Sequence, residues 1–87
     1  FADPLEYKLN QIEPLMRRFP KRTFLFVGDS GERDPEVYAA LYQKYPDRVK
    51  AIRIRNVDGS KAERMEALGL PPDRWAYFED GSDFDLP

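Results

Sequence analysis

A five-residue run without a single charge, Thr23 to Val27, leads directly into Gly28-Asp29-Ser30-Gly31, and Asp34-Pro35-Glu36 follows as a strong helix start. A short run of aromatic, aliphatic and β-branched residues is the pattern of a strand buried on both faces of a parallel sheet. Asp34 suits an N-cap, with Pro35 at the first helical position. The helix is predicted to run to about Tyr45, burying Val37, Tyr38, Leu41 and Tyr45, before Pro46-Asp47 turns the chain. Val49 to Ile54 alternates Val, Ala and Ile against Lys and Arg, which predicts a second strand. Strand, helix and strand with a connection of this length form a right-handed βαβ unit with parallel strands.

The flanking segments extend this unit. Leu5, Leu9, Ile12, Met16 and Phe19 recur at three- and four-residue spacing and line one face of a helix. Asp3-Pro4-Leu5-Glu6 has the form of its N-cap. Pro14 interrupts that pattern, because its ring and missing N–H disturb an interior turn. The expectation is a kink there, or a main helix starting near Asn10 with Pro14 in its first turn, ended by Phe19-Pro20. Ser60-Lys61-Ala62-Glu63 reads as a capping box opening a short helix that stops at Gly69. Trp75 to Phe78 is a last short strand, and the acidic stretch from Glu79 to Pro87 is expected to be loose.

The fold class is therefore α/β: a partial Rossmann-like, three-layer unit with two or three parallel strands flanked by helices. Residues 1–87 make one small domain with a modest core. Parallel sheets are covered on both faces, and Thr23–Val27 is too apolar for an exposed edge. The sequence thus calls for a neighbouring segment that it does not itself supply. It opens on Phe1, with no signal-peptide pattern, as a portion cut from a longer domain would.

Two absences narrow the chemistry. The chain has no cysteine, which excludes a disulfide framework and thiolate zinc sites. It has no histidine, which removes Ser-His-Asp catalysis, imidazole-bound zinc and the commonest general base at neutral pH. A net charge of −2 and a pI near 5.1 give no basis for general nucleic-acid binding. No apolar run approaches the roughly 18 residues of a membrane span.

Ligands of open parallel sheets bind beyond the carboxyl ends of the strands, where Gly28-Asp29 falls. Asp29 and Asp34 can both face that crevice, one leaving the strand and one opening the next helix. Two converging carboxylates without His or Cys form a hard oxygen site suited to Mg²⁺ holding a phosphate. A structural reading stands beside this one, since Asp34 is a good N-cap whatever else it does and Gly-Asp is a common turn. Gly-Asp-Ser also follows an apolar strand in esterases, with the serine as nucleophile. Ser30 in that role needs a His base, which this chain lacks. No P-loop pattern is present.

The stretch from Phe24 to Tyr38, FLFVGDSGERDPEVY, with AIRIRNV from Ala51 to Val57, resembles the C-terminal half of the phosphatidate phosphatase catalytic-domain family. Those are lipin-related members of the haloacid dehalogenase (HAD) superfamily. The likeness extends from about Lys8 to Val57. It implies a HAD-type fold, with Asp29 as an acidic-motif Mg²⁺ ligand and Asp34 as the second acid, bound directly or through water. It also implies that Lys8, placed just ahead of the helix, offsets charge at the nucleophile and phosphate. The family's Asp-x-Asp-x-Thr nucleophile motif and its phosphate-holding Ser/Thr motif are absent from this chain. Asn56 stands where the family pattern has Asp, so Arg55 and Asn56 are left out of the site.

The resemblance implies a Mg²⁺-dependent phosphatase acting on phosphatidate or another phosphomonoester through an aspartyl-phosphate whose nucleophile lies outside this chain. The portion alone is expected to be inactive. The missing N-terminal half of the domain is its expected partner, and its expected place is the cytoplasm, with peripheral membrane contact. The basic cluster Arg17, Arg18, Lys21 and Arg22 is a candidate for that contact or simply a solvated helix end. The competing reading is a catalytically silent interaction or regulatory domain that keeps the fold. Tyr38, Tyr42, Tyr45, Trp75 and Phe78 read as core, Arg53 and Arg55 as surface or interface. Glu79, Asp80, Asp83 and Asp85 match no EF-hand spacing.

Overall fold

The computed structural model describes residues 3–83. Its helices are α1 (Pro4–Arg18), α2 (Asp34–Lys44) and α3 (Ala62–Ala67). Its strands are β1 (Phe24–Asp29), β2 (Val49–Arg55) and β3 (Trp75–Phe78), and a 3-10 turn covers Gly81–Asp83. The strands form one parallel sheet in the order β1-β2-β3. This is the α/β, Rossmann-like arrangement expected, with three strands.

Helix α1 is a single 15-residue helix that passes through Pro14, so the start near Asn10 is not adopted. The reason is energetic. Proline in a helix interior costs about 3 kcal/mol. Burying one large apolar side chain returns roughly 1.5–3 kcal/mol. Met16 is fully buried, and Leu5, Leu9 and Ile12 pack partly buried against the same core. Asp3 caps the start by accepting from Leu5 N at 3.0 Å. At the other end Arg48 donates to the carbonyls of Met16 and Phe19 at 2.9 and 2.6 Å, and to that of Arg22 at 2.6 Å.

Register separates the two faces of the sheet. Phe26 pairs with Ile52 and Gly28 with Ile54, which in turn face Trp75 and Tyr77 of β3. Onto this face pack Met16 of α1, Val37, Tyr38 and Leu41 of α2, and Met65 of α3. Strands that advance in one direction through right-handed crossovers place their connecting helices on one side. The opposite face carries Leu25 and Val27, 37% and 48% exposed. Strand β1 also stands at the sheet's edge among the described residues.

Two helix starts differ from the expected ones. Arg33, not Asp34, occupies the N-cap of α2, and Asp34 is already helical. Lys61, not Ser60, occupies that of α3. In each case the polar side chain is used elsewhere, Ser60 within its own turn and Asp34 in a tertiary contact. Ser60 Oγ donates to Asp58 Oδ1 at 2.7 Å, and Asp34 is described below. Gly69 ends α3 as expected, at φ 77°, with its N–H on the Glu66 carbonyl at 2.9 Å.

Candidate active site

Strand β1 runs two residues beyond its apolar stretch because β2 continues to Arg55 and pairs with Asp29. Asp29 therefore occupies the strand's last position. The chain then turns through residues 30–33 into α2, and the first helical side chain, Asp34, folds back onto the strand end. Its Oδ2 accepts from Asp29 N at 2.9 Å, and its Oδ1 accepts from Lys8 Nζ.

Gly28 makes this approach possible. A Cβ there would lie 2.6 Å from Asp34 Cβ and 2.7 Å from Asp34 Cγ, well inside contact distance. The carboxylate fills the space that any other residue's side chain would occupy.

Lys8 lies inside α1, at its fifth position, rather than ahead of a helix. From there it crosses to the loop, bonding Asp34 and lying 3.9 Å from Glu32 Oε2. The hydrogen bond to Asp34 raises the Lys8 pKa above its usual 10.5, helped by the charges of Asp34, Glu32 and Asp29 and opposed by desolvation. Lys8 is thus held as a cation beside three acids.

Asp29 is placed differently. It lines an open cleft of about 580 Å³ at the carboxyl ends of the strands, together with Val27, Gly28, Arg55, Phe78, Glu79, Asp80 and Gly81. The structure therefore joins Lys8 to Asp34, sets Asp34 on the backbone of Asp29, and places Asp29 in the lining of the cleft. Phe78, read from sequence as core, lines this cleft instead. Its neighbours in β3 alternate, and Phe78 shares the face of Arg55. Glu79 and Asp80 are held at the cleft wall by Asp83, whose carboxylate accepts from both of their amides at 3.2–3.3 Å. Asp85 lies outside the described residues. No group of three or more metal-ligating side chains occurs among the described residues.

The other loop residues are structural. Ser30 is 2% exposed, donates to Asp58 Oδ1 at 2.7 Å and accepts from Val57 N at 2.9 Å. Asn56 closes its own turn, accepting from Ser60 N at 3.0 Å and donating Nδ2 to Ser60 O at 2.8 Å. A carboxylate at position 56 could not make the second of these bonds, so the amide suits the turn. Tyr38 donates to Val27 O at 2.8 Å and stacks on Phe26 with centroids 4.9 Å apart. Burial, with the nearby charges of Asp34 and Asp29, pushes its phenol up to about 12, so it stays neutral.

The basic cluster sits elsewhere. Arg17, Arg18, Lys21 and Arg22 surround the end of α1, beside the amino end of β1 and away from Asp29. Arg17 pairs with Glu13 at 3.4 Å, and Arg18 lies 5.7 Å from the Phe19 ring centroid. No described helix is long and apolar enough to cross a membrane.

One part of the site escaped sequence reading altogether. Arg64, on α3, reaches over to the 28–34 loop and bonds the carbonyls of Ser30 and Glu32. No local pattern marks it, since its partners lie about thirty residues away in sequence.

Residues 1–56 match the family described as phosphatidate phosphatase APP1, catalytic domain. Phosphatidate phosphatase APP1 of Saccharomyces cerevisiae is 38% identical over 56 residues, which make up 64% of this chain and 10% of the yeast protein. The chain thus spans a small fraction of that relative's length. No solved structure matches the chain. The matched residues hold Lys8, Asp29 and Asp34 in the arrangement described, and the chain belongs to the phosphatidate phosphatase APP1 catalytic-domain family.

Proposed function

We propose that this chain is the metal-holding wall of a HAD-type phosphatase, acting on phosphatidate or another phosphomonoester once the rest of the domain is in place. The observation that carries the reading is Asp34, turned away from its own helix to bridge the Asp29 amide and the Lys8 ammonium. A residue that served only as an N-cap would spend its oxygens on α2. The name of the yeast relative supports phosphatidate as the substrate.

The donor set fits Mg²⁺. This ion takes one or two protein carboxylates, keeps several waters and accepts substrate phosphate oxygens. Asp29 faces the cleft. Asp34 uses two hydrogen bonds of the roughly four that a carboxylate accepts, so it retains lone pairs for the ion or a bound water. Bound there, Mg²⁺ would polarise a phosphoryl group and offset its charge. Lys8 supplies a second positive charge at the same place. A carboxylate from outside this chain would attack phosphorus, breaking the ester P–O bond as the leaving oxygen gains a proton. Water would then hydrolyse the aspartyl-phosphate.

The open sheet face supports a covering segment. A parallel sheet with Leu25 and Val27 exposed is not a finished structure in water. The missing N-terminal half of the domain is the proposed occupant, and the proposed location is the cytoplasm, at a membrane surface when lipid is the substrate.

The test uses the full-length protein, assayed for Mg²⁺-dependent phosphate release. Asp29→Asn is expected to abolish activity with the fold intact. The sequence encoded upstream of Phe1 is expected to contain an apolar strand followed by Asp-x-Asp-x-Thr or Val. Absence of that motif, or full activity in the variant, would leave a catalytically silent interaction domain as the better reading.

A further inference from the structure

The turn through residues 30–33 contains Gly31 and follows the end of β1 at the sheet's edge, so its own sequence does little to hold one shape. Much of its constraint comes from Arg64 on α3, beside the bonds of Ser30 to Arg55, Val57 and Asp58. All five N–H groups of the Arg64 guanidinium are used. Nε and Nη2 grip Glu36 as a fork, at 3.1 Å to Oε2 and 2.9 Å to Oε1. Nη1 donates to Ser30 O at 2.6 Å and Ser60 Oγ at 3.0 Å, and Nη2 reaches Glu32 O at 3.2 Å. The side chain is 26% exposed, and Asp58 adds a further charge at 3.9 Å.

These bonds bracket the site in sequence. Ser30 follows Asp29, Glu32 precedes Asp34 by two residues, and Glu36 follows it by two. The planar fork thus fixes both ends of the segment that folds Asp34 back onto the Asp29 amide. Ser30 Oγ makes a second tie to the same neighbourhood through Asp58. Lysine at this position carries three donors on a flexible stem and cannot satisfy five acceptor contacts. The family match ends at residue 56, so Arg64 lies beyond it while its partners Ser30, Glu32 and Glu36 lie within it.

We propose that Arg64 is a positioning residue, holding the loop in the conformation in which Asp34 meets Lys8 and the Asp29 amide and Asp29 lines the cleft. Its five N–H donors are all taken by protein acceptors. It acts through the backbone of Ser30 and Glu32. Its relevance to catalysis rests on the metal-holding reading of the loop, but its effect on the loop does not.

Hydrogen exchange in the full-length protein, with Arg64→Met and Arg64→Lys, separates the two ideas. Peptides spanning residues 28–33 are expected to exchange about tenfold faster in Arg64→Met, while those spanning 50–54 stay near wild type, as a local opening requires. Arg64→Lys should recover only part of that protection. If both regions accelerate together, or neither changes, Arg64 is an ordinary stabilising residue and the proposal is overturned. The same measurement with Mg²⁺ added is expected to slow exchange at 28–33 in wild type and much less in Arg64→Met. Mg²⁺ without effect on wild type overturns the metal reading alone, and the Arg64 proposal is then decided by the metal-free comparison.

Discussion

The Asp34 carboxylate lies against the backbone amide of Asp29, with Oδ2 2.9 Å from the nitrogen, and it occupies the space beside Gly28 where a side chain would be. Strand end, loop and helix start are thereby locked into one unit. The same contact explains why the expected N-cap is not one.

Gly28→Ala tests the lock directly. The new methyl would overlap Asp34 Cβ and Cγ, and Asp34 sits on a helix backbone that cannot retreat without moving α2. Overpacking of this kind costs about 1–3 kcal/mol. Urea unfolding should show that loss, and the Asp29 amide resonance should shift as its acceptor is displaced.

Asp34→Asn removes the ion pair with Lys8 and keeps an oxygen for the Asp29 amide. Lys8 is a third exposed and can turn to solvent, so the stability loss should be about 1 kcal/mol. Activity of the full-length protein should fall far more, by about 100-fold or greater, because charge stabilisation at the phosphoryl group is lost. Thermal unfolding and phosphate-release kinetics on the same preparation check both.

Glu13 governs part of the acid limb of stability. Hydrogen bonds from Lys44 and Tyr45 hold its carboxyl below the usual 4.5, with Arg17 adding charge and desolvation opposing. A depressed carboxyl stabilises the fold above its unfolded pKa, and that contribution disappears as pH falls through the folded value. Glu13→Gln should be less stable than wild type at pH 7 and converge with it as pH falls below the usual 4.5 and through the lowered folded pKa, as read from thermal midpoints across that range.

Arg48→Lys should destabilise the chain although charge is kept. The guanidinium serves three carbonyls at the end of α1, those of Met16, Phe19 and Arg22, and lies 5.5 Å from the Phe24 ring centroid. A lysine ammonium does not reproduce the fork. With charged hydrogen bonds worth roughly 1.5–3 kcal/mol each and partial replacement by lysine and water, the expected loss is about 2 kcal/mol by chemical denaturation.

The sequence by itself determined the alternation of helices and parallel strands, the position of the acidic loop at a strand end, and the glycine stop after α3. These follow from periodicity, caps and turn chemistry, which act over a few residues. It also marked Lys8, Asp29 and Asp34 through likeness to a family, and the structure brings Lys8 and Asp34 into contact across 26 residues. Tertiary structure decided the rest. Helix α1 passes through Pro14 because the burial of Met16 and its neighbours outweighs a local penalty. Asp34 leaves its cap because Lys8 and the Asp29 amide offer partners that no cap pattern reveals, whereas Ser60 leaves its own for Asp58 and Asn56 in the turn just before it. Arg64 clamps the loop because α3, distant in sequence, packs on the same face of the sheet as α2. Local rules set which elements form. Which side chains meet at the site depends on long-range packing, where the competing interactions differ by only a few kcal/mol.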